Sequence, residues 1–550
     1  MKQNILKVHP EDNVIVALTD LIKGETITYA NEEILLLENI KAKHKFTAAS
    51  LPAGSGIIMY GVLVGITQSD LAKGSLITTE NVKHAANQFE TRSRKTSWNA
   101  PDVSKFNLKT FKGFYRSDGS VGTANYWLVI PMVFCENRNI DVLQEALLSP
   151  LGYGRKKKYQ EEVRTLVGMI RDGKNEEAIL ESASFFETSE EIQERVFPNV
   201  DGIKFLVHNG GCGGTREDAT TLCGLLAGYI THPNVAGATV LSLGCQNAQV
   251  SMLQEEISKR VPSFDKPLYI LEQQQVGTEA DLFSLSIRQT LAGLIQANKS
   301  VRQLAPLSKL CIGLECGGSD GFSGISANPA IGYTSDMVVA LGGSVILSEF
   351  PELCGVEQDL SDRCVSNEEA DRFLSLMKSY NKQAIAAGSG FDMNPSPGNI
   401  RDGLITDAIK SAGAAKKGGT SPIVAVLDYP EKVSKPGLNL LCTPGNDVES
   451  TTAEVASGAN IVLFTTGLGT PTGNPVAPVI KIATNTGLFN RMRDIMDLNT
   501  GRIIEGEETI PEAGERILEY IISVASGETE VAAVRHRQDD FIPWKRGISL

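Results

Sequence analysis

Short apolar segments alternate with helix-length segments along most of this 550-residue chain, and this alternation restricts its fold more than any other feature. IKFLVH is followed by a glycine-rich loop and TREDATTLCGLLAGYI, and ATVLSL is followed by QVSMLQEEISKRV. LCIGL precedes another glycine-rich loop and PAIGYTSDMVVALGG, and SVILSEF, PIVAVLD, LNLLCT and NIVLFTT continue the pattern. Strands that alternate with helices form parallel βαβ units. The sequence therefore predicts a large α/β region with Rossmann-like parallel βαβ units.

The first 90 residues follow a different pattern. Short alternating segments such as NVIVAL, KFTAASL and GIIMYGVLVGIT are separated by the glycine turns KGET, PAGSG and AKGS. This close spacing predicts a small β domain over residues 1–90. The polar stretch 91–106 predicts a linker. Beyond it we expect a central α/β domain over residues 107–245 and a C-terminal α/β domain over residues 246–550.

The composition argues against several classes of protein. The net charge of −13 argues against a nucleic-acid-binding protein, which would need a basic face for the phosphate backbone. No stretch approaches about 18 consecutive apolar residues, so we expect no membrane span. The first residues, MKQNILKVHPEDN, have no apolar signal stretch, and the nine cysteines then predict reduced thiols in the cytoplasm.

Four cysteines each follow an apolar run: Cys135 in VIPMVFCENRN, Cys212 in IKFLVHNGGCGG, Cys245 in TVLSLGCQNAQ and Cys316 in LECGGSDGFSG. Open α/β sheets bind ligands beyond the carboxyl ends of their strands, where these motifs are expected. Thiolates, together with the imidazole of His208, suit iron or zinc. None of the four has the C-x-x-C spacing of a structural zinc site, so distant parts of the chain would hold the metal. We predict a metal site at Cys212, Cys245 and Cys316 with Cys135 as a fourth member; the alternative is a set of reduced cysteines without a metal.

Two further segments carry candidate functional side chains. FYRSDGSVGTANYW places Arg116, Asp118 and Asn125 in a turn before a strand, where Arg116 either binds a carboxylate or lies in a surface turn. Lys481 lies inside the apolar run of VIKIATN. A lysine there either extends its ammonium to solvent or is buried, and burial would make it usable as a base.

RSDGSVGTANYW, HNGGCGG, LGCQNAQ, LECGGSDGFSGISANPAIG, NPSPGN, TPG and TTGLGTPTGNPVAPVIKIATN follow one another in this chain. This series resembles the altronate/galactarate dehydratase family, and the resemblance runs from about residue 5 to residue 525. HPEDNVIVAL and KHKFTAASLPAGSGIIMYG resemble the family's small SAF-type β domain. The resemblance implies a hydro-lyase that converts a sugar acid such as D-altronate to 2-keto-3-deoxygluconate. It also implies iron, as Fe²⁺ or as an iron–sulfur cluster, with Mn²⁺ as an alternative.

Loss of water from a 2,3-dihydroxy acid needs a base for the C2 proton, an acid for the departing C3 hydroxyl and a cation for the enediolate. The catalytic candidates for these proton transfers are His44, His208 and Lys481, and the small domain either supplies His44 or closes over the site as a lid. The implied partner is a small-molecule sugar acid, without nucleic acid or membrane, and a homo-oligomer is left open. The candidate substrate contacts are Arg116, Asp118, Asn125, Asp320 and Asn328.

The chain departs from the family pattern at two places. Many members have an arginine after the VGT motif, where this chain has Ala124. Many also have a His-x-His-Asn run, in which Thr78 and Glu80 here replace the two histidines and Asn81 is retained. Glu80 could ligate a hard metal or act as a base, and His84 is close in sequence. The alternatives are therefore a lyase that expels sulfite, a dehydratase of another hydroxy acid, and a non-catalytic sugar-acid-binding protein.

Overall fold

The structure is a computed structural model that describes residues 4–86, 89, 97–154, 158–183 and 194–549. Residues 91–96 of the predicted linker lie outside the described residues. Residues 97–109 contain turns but form no strand or helix.

The N-terminal region is a small β domain, as predicted. Its strands are β1 (Ile5–Leu6), β2 (Val14–Ala17), β3 (Thr26–Tyr29), β4 (Glu32–Leu35), β5 (Lys45–Thr47), β6 (Gly56–Met59), β7 (Val62–Thr67) and β8 (Val82–Lys83). They pair antiparallel in the three-stranded sheets β1-β2-β5 and β6-β7-β8 and in the hairpin β3-β4. Fully buried Ile15 and Phe46 lie in the core of this domain.

The second region contains a parallel sheet with helices. Its elements are β9 (Thr110–Tyr115), β10 (Val121–Gly122), β11 (Tyr126–Pro131), α1 (Asn137–Leu148), α2 (Lys158–Arg171), α3 (Glu176–Leu180), β12 (Gly202–Phe205), α4 (Arg216–Thr231), β13 (Val235–Ser242), α5 (Val250–Arg260), β14 (Leu268–Glu272), α6 (Gln273–Val276), α7 (Glu279–Ala297) and β15 (Gln303–Pro306). The parallel sheet has the order β12-β11-β13-β14, and a smaller antiparallel sheet has the order β10-β9-β15. The parallel sheet continues past residue 245, where the sequence analysis places a domain boundary, because β14 hydrogen-bonds to β13.

The third region is a larger α/β unit. Its elements are β16 (Cys311–Cys316), α8 (Ala327–Ala340), β17 (Ser344–Leu347), α9 (Glu357–Arg363), α10 (Asn367–Ala386), α11 (Pro397–Arg401), α12 (Asp407–Ala414), β18 (Ile423–Leu427), β19 (Gly437–Leu441), α13 (Asp447–Ser457), β20 (Ile461–Thr466), β21 (Val479–Ala483), α14 (Thr486–Arg491), β22 (Leu498–Asn499), α15 (Gly501–Ile504), α16 (Ile510–Ala525) and α17 (Ala532–Arg535). Its seven-stranded sheet has the order β18-β19-β17-β16-β20-β21-β22, and every neighbouring pair is parallel. The two parallel sheets confirm the predicted α/β fold.

Burial of the central strands explains their continuous apolar sequences. Every residue of β11, β13 and β20 is buried, which is the usual state of parallel strands covered by helices. Trp127 of β11 packs so closely against α7 that a Cβ at Gly293 would lie 1.9 Å from its ring. A glycine in that helix therefore makes room for the largest buried side chain of the sheet.

The three regions pack against one another. Thr406 Oγ1, which caps α12, donates a hydrogen bond to Val64 O of β7 at 2.8 Å and so joins the small domain to the third region. The second and third regions meet where α4 contacts α13, and a Cβ at Gly228 would lie 2.4 Å from Ala456 O. Among the helices that the structure describes, none combines the length and the apolar character needed to cross a membrane.

Candidate functional site

Three of the four predicted cysteines lie at the carboxyl edge of the four-stranded sheet. Cys135 follows β11, Cys212 follows β12 and Cys245 follows β13, and all three are exposed. Their loops contact each other, because Phe134 N donates to Gly210 O and Ala248 N donates to the neighbouring glycine carbonyl, each at 3.1 Å. Three thiols therefore lie on the loops that follow adjacent parallel strands, at one edge of this sheet.

The described residues contain three groups of histidine, cysteine and acidic side chains whose ligand atoms lie within 4.8 Å of one another. No group contains two cysteines, so Cys212, Cys245 and Cys316 do not share one such group in the described part of the chain. The groups are Cys316–Glu349–Glu352, Glu315–Glu349–Asp447 and His84–Cys354–Asp407.

A pocket of about 370 Å³ lies beside Cys212. Its wall includes His208, the Gly-rich loop before α4, and Phe541 and Trp544 from the C-terminal segment. Asp218, in the first turn of α4, accepts hydrogen bonds from two backbone N–H groups of the C-terminal segment at 3.0 and 3.1 Å, which fastens this segment to the amino end of α4. The pocket therefore combines aromatic and polar walls with one exposed thiol.

His208 is a buried, neutral histidine at the wall of this pocket. Its Nε2 lies 2.9 Å from Pro131 O and its Nδ1 accepts a hydrogen bond from Gly210 N at 3.1 Å. Burial lowers its pKa to about 4, although the bond to Pro131 opposes the shift. Both ring nitrogens therefore have partners in this structure, so His208 joins the glycine-rich loop to the end of β11. Its role as an acid or base stays a prediction.

Arg116, Asp118 and Asn125 lie before β11, at the opposite end of the sheet from the cysteines. Arg116 donates to Pro233 O at 2.7 Å and to Asn125 Oδ1 at 3.0 Å. Asp118 accepts two hydrogen bonds from Ser120 in its own turn, at 3.0 and 2.6 Å. These side chains hold the local backbone, so their surroundings differ from the predicted contact with a substrate.

Cys316 ends β16 and lies in a buried cluster of charged side chains in the seven-stranded sheet. Its Sγ lies 3.6 Å from Glu349 Oε2, 3.3 Å from Glu352 Oε2 and 3.0 Å from Lys417 Nζ. Lys417 also contacts Glu349 at 2.5 Å, and Lys410 contacts Glu352 at 2.5 Å. Burial, followed by the charges of Glu349 and Glu352, raises the pKa of the Cys316 thiol. A lysine ammonium thus neighbours this sulfur, and the structure places Cys316 in a different sheet from the cysteines with which the sequence analysis groups it.

Three carboxylates meet beside this cluster. Glu315 of β16, Glu349 after β17 and Asp447 at the start of α13 have oxygens within 4.8 Å of one another. Oε2 of Glu315 and Oε1 of Glu349 are buried and accept no hydrogen bond from the described residues. Burial, with the charges of Glu349 and Glu352, raises the pKa of Asp447 to about 7. Oxygen ligands suit hard divalent cations, and a bound cation would offset the repulsion among these carboxylates.

Lys481 lies in the middle of β21 with 0% of its surface exposed. Its Nζ donates to Thr472 Oγ1 at 3.1 Å and lies 3.4 Å from the centre of the Phe464 ring. Burial lowers its pKa to about 7, although the charge of Asp447 opposes the shift. Residue 317 is a glycine, and this leaves room for the Asp447 carboxylate: a Cβ at residue 317 would lie 1.8 Å from Asp447 Oδ2. Lys481 is therefore a buried amine that is partly neutral near pH 7, which is the form of a general base.

The C-terminal segment lies between Lys481 and the pocket. Thr472, which binds Lys481 Nζ, is followed by Gly473, whose N–H donates to Asp540 Oδ2 at 2.8 Å. Phe541, which follows Asp540 in the sequence, lines the pocket. The lysine edge of the seven-stranded sheet and the thiol edge of the four-stranded sheet therefore face the same segment.

The small domain reaches the third region through Lys43. Its Nζ lies 3.0 Å from Asp320 Oδ2 and 2.8 Å from Asp402 Oδ1. Asp320 follows β16, is fully buried, and also accepts hydrogen bonds from Thr484 Oγ1 at 3.0 Å and Asn485 Nδ2 at 3.2 Å. The predicted substrate contact Asp320 therefore lies at the carboxyl edge of the sheet, and its charge is balanced by Lys43.

His44, next to this contact, is half-buried. Its Nε2 lies 3.1 Å from Arg401 O, and burial lowers its pKa. The neighbouring Lys45 is buried and donates to Gly403 O at 2.6 Å. These contacts fasten the small domain to the loop before α12, and the contacts of His44 within the described residues do not include Lys481 or the carboxylate group.

Two other predicted positions take part in local structure. Asn328 of α8 is buried, accepts a hydrogen bond from Thr465 Oγ1 at 2.8 Å and donates to Gly413 O at 3.0 Å. Thr78 donates its backbone N–H to Asn81 Oδ1 at 2.8 Å in the turn before β8, and Glu80 in the same turn is exposed. Neither member of the altered histidine pair belongs to a group of metal-ligating side chains among the described residues.

The sequence analysis missed most of the charged side chains at the edge of the seven-stranded sheet. Glu315 precedes the cysteine in LECGG, Glu349 is the second-to-last residue of SVILSEF, and Asp447 is the last residue of TPGND. All three follow or end apolar runs, so the rule that identified the cysteines would also have found these carboxylates. Lys410 and Lys417 lie in ordinary helical sequence, and only the fold shows that they are buried.

Three family models match consecutive parts of the chain. The altronate/galactarate dehydratase SAF domain matches residues 3–85, the second domain of D-galactarate dehydratase/altronate hydrolase matches residues 113–298, and the C-terminal domain of D-galactarate/altronate dehydratase matches residues 307–549. The matches follow the order of the three structural regions, and the first confirms that the small β domain is of the SAF type.

Three relatives match along 95% or more of the chain. The altronate dehydratase of Bacillus subtilis is 32% identical over 100% of both chains, and that of Escherichia coli is 30% identical over 99% of both. The galactarate dehydratase (L-threo-forming) of Escherichia coli is 32% identical over 95% of this chain and 93% of its own. The family indicated by the motifs is thereby confirmed: this chain belongs to the altronate/galactarate dehydratases.

Proposed function

We propose that this protein is a hydro-lyase that removes water from a sugar acid, with D-altronate as the substrate and 2-keto-3-deoxygluconate as the product. Two relatives that match the entire chain are altronate dehydratases, which supports this reaction. The structural observation that carries the proposal is Lys481, a buried amine with a pKa of about 7 near a group of three carboxylates, of which Glu315 and Glu349 are buried and Asp447 is partly buried. Such an amine meets the need of the reaction for a base in a site that can hold a cation.

In the proposed mechanism Lys481 makes both proton transfers. Its neutral amine takes the proton from C2 of the substrate, the electron pair of that bond forms the C2–C3 double bond, and the C3–O bond breaks. The resulting ammonium returns the proton to the departing hydroxyl, which leaves as water, and the enol product rearranges to the 2-keto acid. A pKa near neutral suits an amine that must both accept and release a proton at neutral pH.

The oxygens of Glu315, Glu349 and Asp447 would hold a divalent cation, Fe²⁺ or Mn²⁺, next to this amine. The fit rests on their spacing of less than 4.8 Å and on two buried oxygens without hydrogen bonds among the described residues. When bound, the cation would supply Lewis-acid stabilisation of the enediolate that forms at the substrate carboxylate. Burial of Glu315, Glu349 and Lys481 would keep bulk water away from the reaction.

A second candidate location for iron is the edge of the four-stranded sheet. Cys135, Cys212 and Cys245 are exposed there on loops that contact each other. Three thiolates suit an iron–sulfur cluster in which one iron remains open to a ligand. Acid-labile sulfide in the purified protein distinguishes this location from the carboxylate group, which would hold a single ion.

Access to Lys481 requires a movement of the protein, because Glu315, Glu349 and Lys481 are each no more than 1% exposed. The C-terminal segment at Asp540 and Phe541 lies between the amine and the pocket of about 370 Å³. Displacement of this segment would join the pocket to the amine and admit the sugar acid.

The decisive experiment is to incubate the anaerobically purified protein with D-altronate, Fe²⁺ and a thiol, and to measure 2-keto-3-deoxygluconate. We expect turnover that is lost with a chelator and restored by Fe²⁺ or Mn²⁺. Lys481→Met should reduce kcat by about a hundredfold or more. Lys266→Met is the matched control, because Lys266 is a partly buried lysine whose pKa desolvation also lowers, but whose ammonium binds two backbone carbonyls.

The alternatives predict other results in the same assay. Turnover of D-galactarate or of another hydroxy acid, but not of D-altronate, would identify that acid as the substrate. Release of sulfite from sulfolactate would identify a different leaving group. Binding of D-altronate without turnover, in folded and metal-loaded protein, would refute the hydro-lyase and identify a sugar-acid-binding protein in which Thr78 and Glu80 are the first residues to revert.

We also infer that the protein acts in the cytoplasm. This location is supported by the nine cysteines, none of which forms a disulfide. Light scattering of the purified protein will establish whether it is a monomer or a homo-oligomer.

A further inference from the structure

A separate set of metal-ligating side chains lies where the small domain contacts the third region. His84 follows β8, Cys354 follows the short helical turn Phe350–Leu353, and Asp407 begins α12. A ring nitrogen of His84, Sγ of Cys354 and a carboxylate oxygen of Asp407 lie within 4.8 Å of one another. Residues that are far apart in the chain thus meet with one nitrogen, one sulfur and one oxygen donor.

Asp407 has a buried carboxylate oxygen that a bound cation would complement. Only 2% of its surface is exposed, and its Oδ2 is buried and accepts no hydrogen bond within the described ranges. The carboxyl group has two other partners: Ser411 Oγ lies 3.4 Å from Oδ1, and the Cys354 side chain makes a hydrogen bond to the group. A buried carboxylate oxygen without a donor is destabilising, and a bound cation would remove that penalty.

The surroundings hold the three side chains together and leave a route for an ion. A Cβ at Gly355 would lie 2.9 Å from the Cβ of Ala86, so the segment after β8 packs directly on the segment of Cys354. His84 is exposed and Cys354 is partly exposed, whereas Asp407 is buried. An ion can therefore approach from solvent on the histidine side and reach the carboxylate on the inner side.

We propose that His84, Cys354 and Asp407 bind a divalent transition-metal ion, with zinc as the ion that this donor set favours, and that the ion fastens the small domain to the third region. Imidazole, thiolate and carboxylate are the three donor types of protein zinc sites. Zinc bonds of about 2.0–2.3 Å place tetrahedral ligand atoms less than about 4 Å apart, so a small closure of the three side chains completes the site. The fourth position belongs to water.

This site is separate from the proposed catalytic cation. The carboxylate group has only oxygen donors, whereas the interface site has a thiolate. Cobalt(II) distinguishes the two, because a thiolate bound to cobalt gives a near-ultraviolet charge-transfer absorption that carboxylates do not give. The optical signal does not depend on turnover, so failure of the dehydratase assay would leave this proposal intact.

The test titrates Co²⁺ into the chelator-treated full-length protein and follows the absorption, then displaces the cobalt with Zn²⁺. We expect one site per chain with the charge-transfer band. Cys354→Ser should abolish the band, and His84→Ala should weaken Co²⁺ binding at least tenfold. Cys311→Ser is the matched control, because Cys311 is also a partly exposed thiol but belongs to no ligand group among the described residues.

His84→Ala keeps the test decisive if the cysteine variant does not fold, because His84 is exposed and the hydrogen bond that its Nδ1 accepts from Ala408 N is long, at 3.3 Å. Zn²⁺ should raise the thermal midpoint of the wild type but not of this variant, since an ion that binds only the folded state stabilises it. Unchanged Co²⁺ affinity in His84→Ala, or a band that survives in Cys354→Ser, would overturn the proposal. Survival of the band would instead assign the cobalt to other thiols.

Discussion

Replacement of Lys481 by methionine should make the protein more stable while it removes the proposed activity. Lys481 is fully buried, and its pKa falls from 10.5 to about 7 because burial disfavours the charged amine. Between these two pH values the unfolded chain binds a proton that most folded molecules lack, so the stability of the wild type rises with pH. Methionine has a similar shape and no charge, and it removes this dependence.

The size of the effect follows from the two pKa values. The difference between 10.5 and about 7 corresponds to a destabilisation of the folded wild type by about 5 kcal/mol, at ~1.36 kcal/mol per pKa unit. This destabilisation is present in full below pH 7 and absent above pH 10.5. At pH 7 about 4 kcal/mol remains, because half of the folded molecules have already lost the proton. Loss of the contacts with Phe464 and Thr472 would offset about 2 kcal/mol. We therefore expect a net stabilisation of about 2 kcal/mol at pH 7.

Thermal unfolding from pH 6 to pH 9, together with turnover of D-altronate, measures both effects. The midpoint of Lys481→Met should exceed that of the wild type by a few degrees at pH 6 and 7, and the gap should narrow towards pH 9. Turnover should fall by about a hundredfold or more at every pH. A functional site often lowers the stability of a protein in this way, because it keeps an ionisable group buried although burial disfavours the charged form of that group.

Two results would refute this reasoning. A variant that retains activity would show that Lys481 is not the base. A variant whose midpoint is lower than that of the wild type, by an amount that does not vary with pH, would show that the amine is a structural residue held by Phe464 and Thr472. The control Lys266→Met separates a general effect of desolvated lysines from one that belongs to the site.

Three further predictions test other parts of the structure. Asp447→Asn should stabilise the protein at pH 7 and above, because the carboxyl pKa of about 7 makes the wild type lose stability as pH rises from about 4 through 7; a midpoint gap independent of pH would contradict it. Lys43→Ala should lower the thermal midpoint and speed limited proteolysis of the small domain, because fully buried Asp320 loses its cation at a cost of about 3 kcal/mol; Lys23→Ala, at an exposed position on the same domain, is the control. Gly293→Ala should cost about 1–3 kcal/mol or more and change the fluorescence of Trp127, because the added Cβ would lie 1.9 Å from its ring; unchanged stability would contradict the packing of α7.

Local sequence determined the kinds of structure in this chain. Apolar runs followed by glycine loops predicted parallel strands, and continuous burial of β11, β13 and β20 is what such runs require. Alternating short segments with glycine turns predicted the small β domain. Both predictions were correct because strand periodicity and turn chemistry are properties of neighbouring residues.

Local sequence also indicated where chemistry would lie, because residues after parallel strands meet at one edge of their sheet. The rule placed Cys212 and Cys245 at one edge, but it could not tell that Cys316 ends a strand of another sheet. Arg116 is not covered by this rule, because it precedes its strand; it binds the carbonyl of Pro233 in this structure, and its contact with a substrate stays a prediction.

Tertiary structure alone decided which side chains meet. Strand order places β16 between β17 and β20, and this order brings Glu349 and Asp447 to Glu315 from distant parts of the chain. Burial of Lys481 and the raised pKa of Asp447 depend on these same contacts. The same holds for His84, Cys354 and Asp407, which meet only after the small domain has packed on the third region. Pairing across a sheet and between domains depends on the packing of the whole chain, so the pattern of neighbouring residues predicts the strands but not their partners.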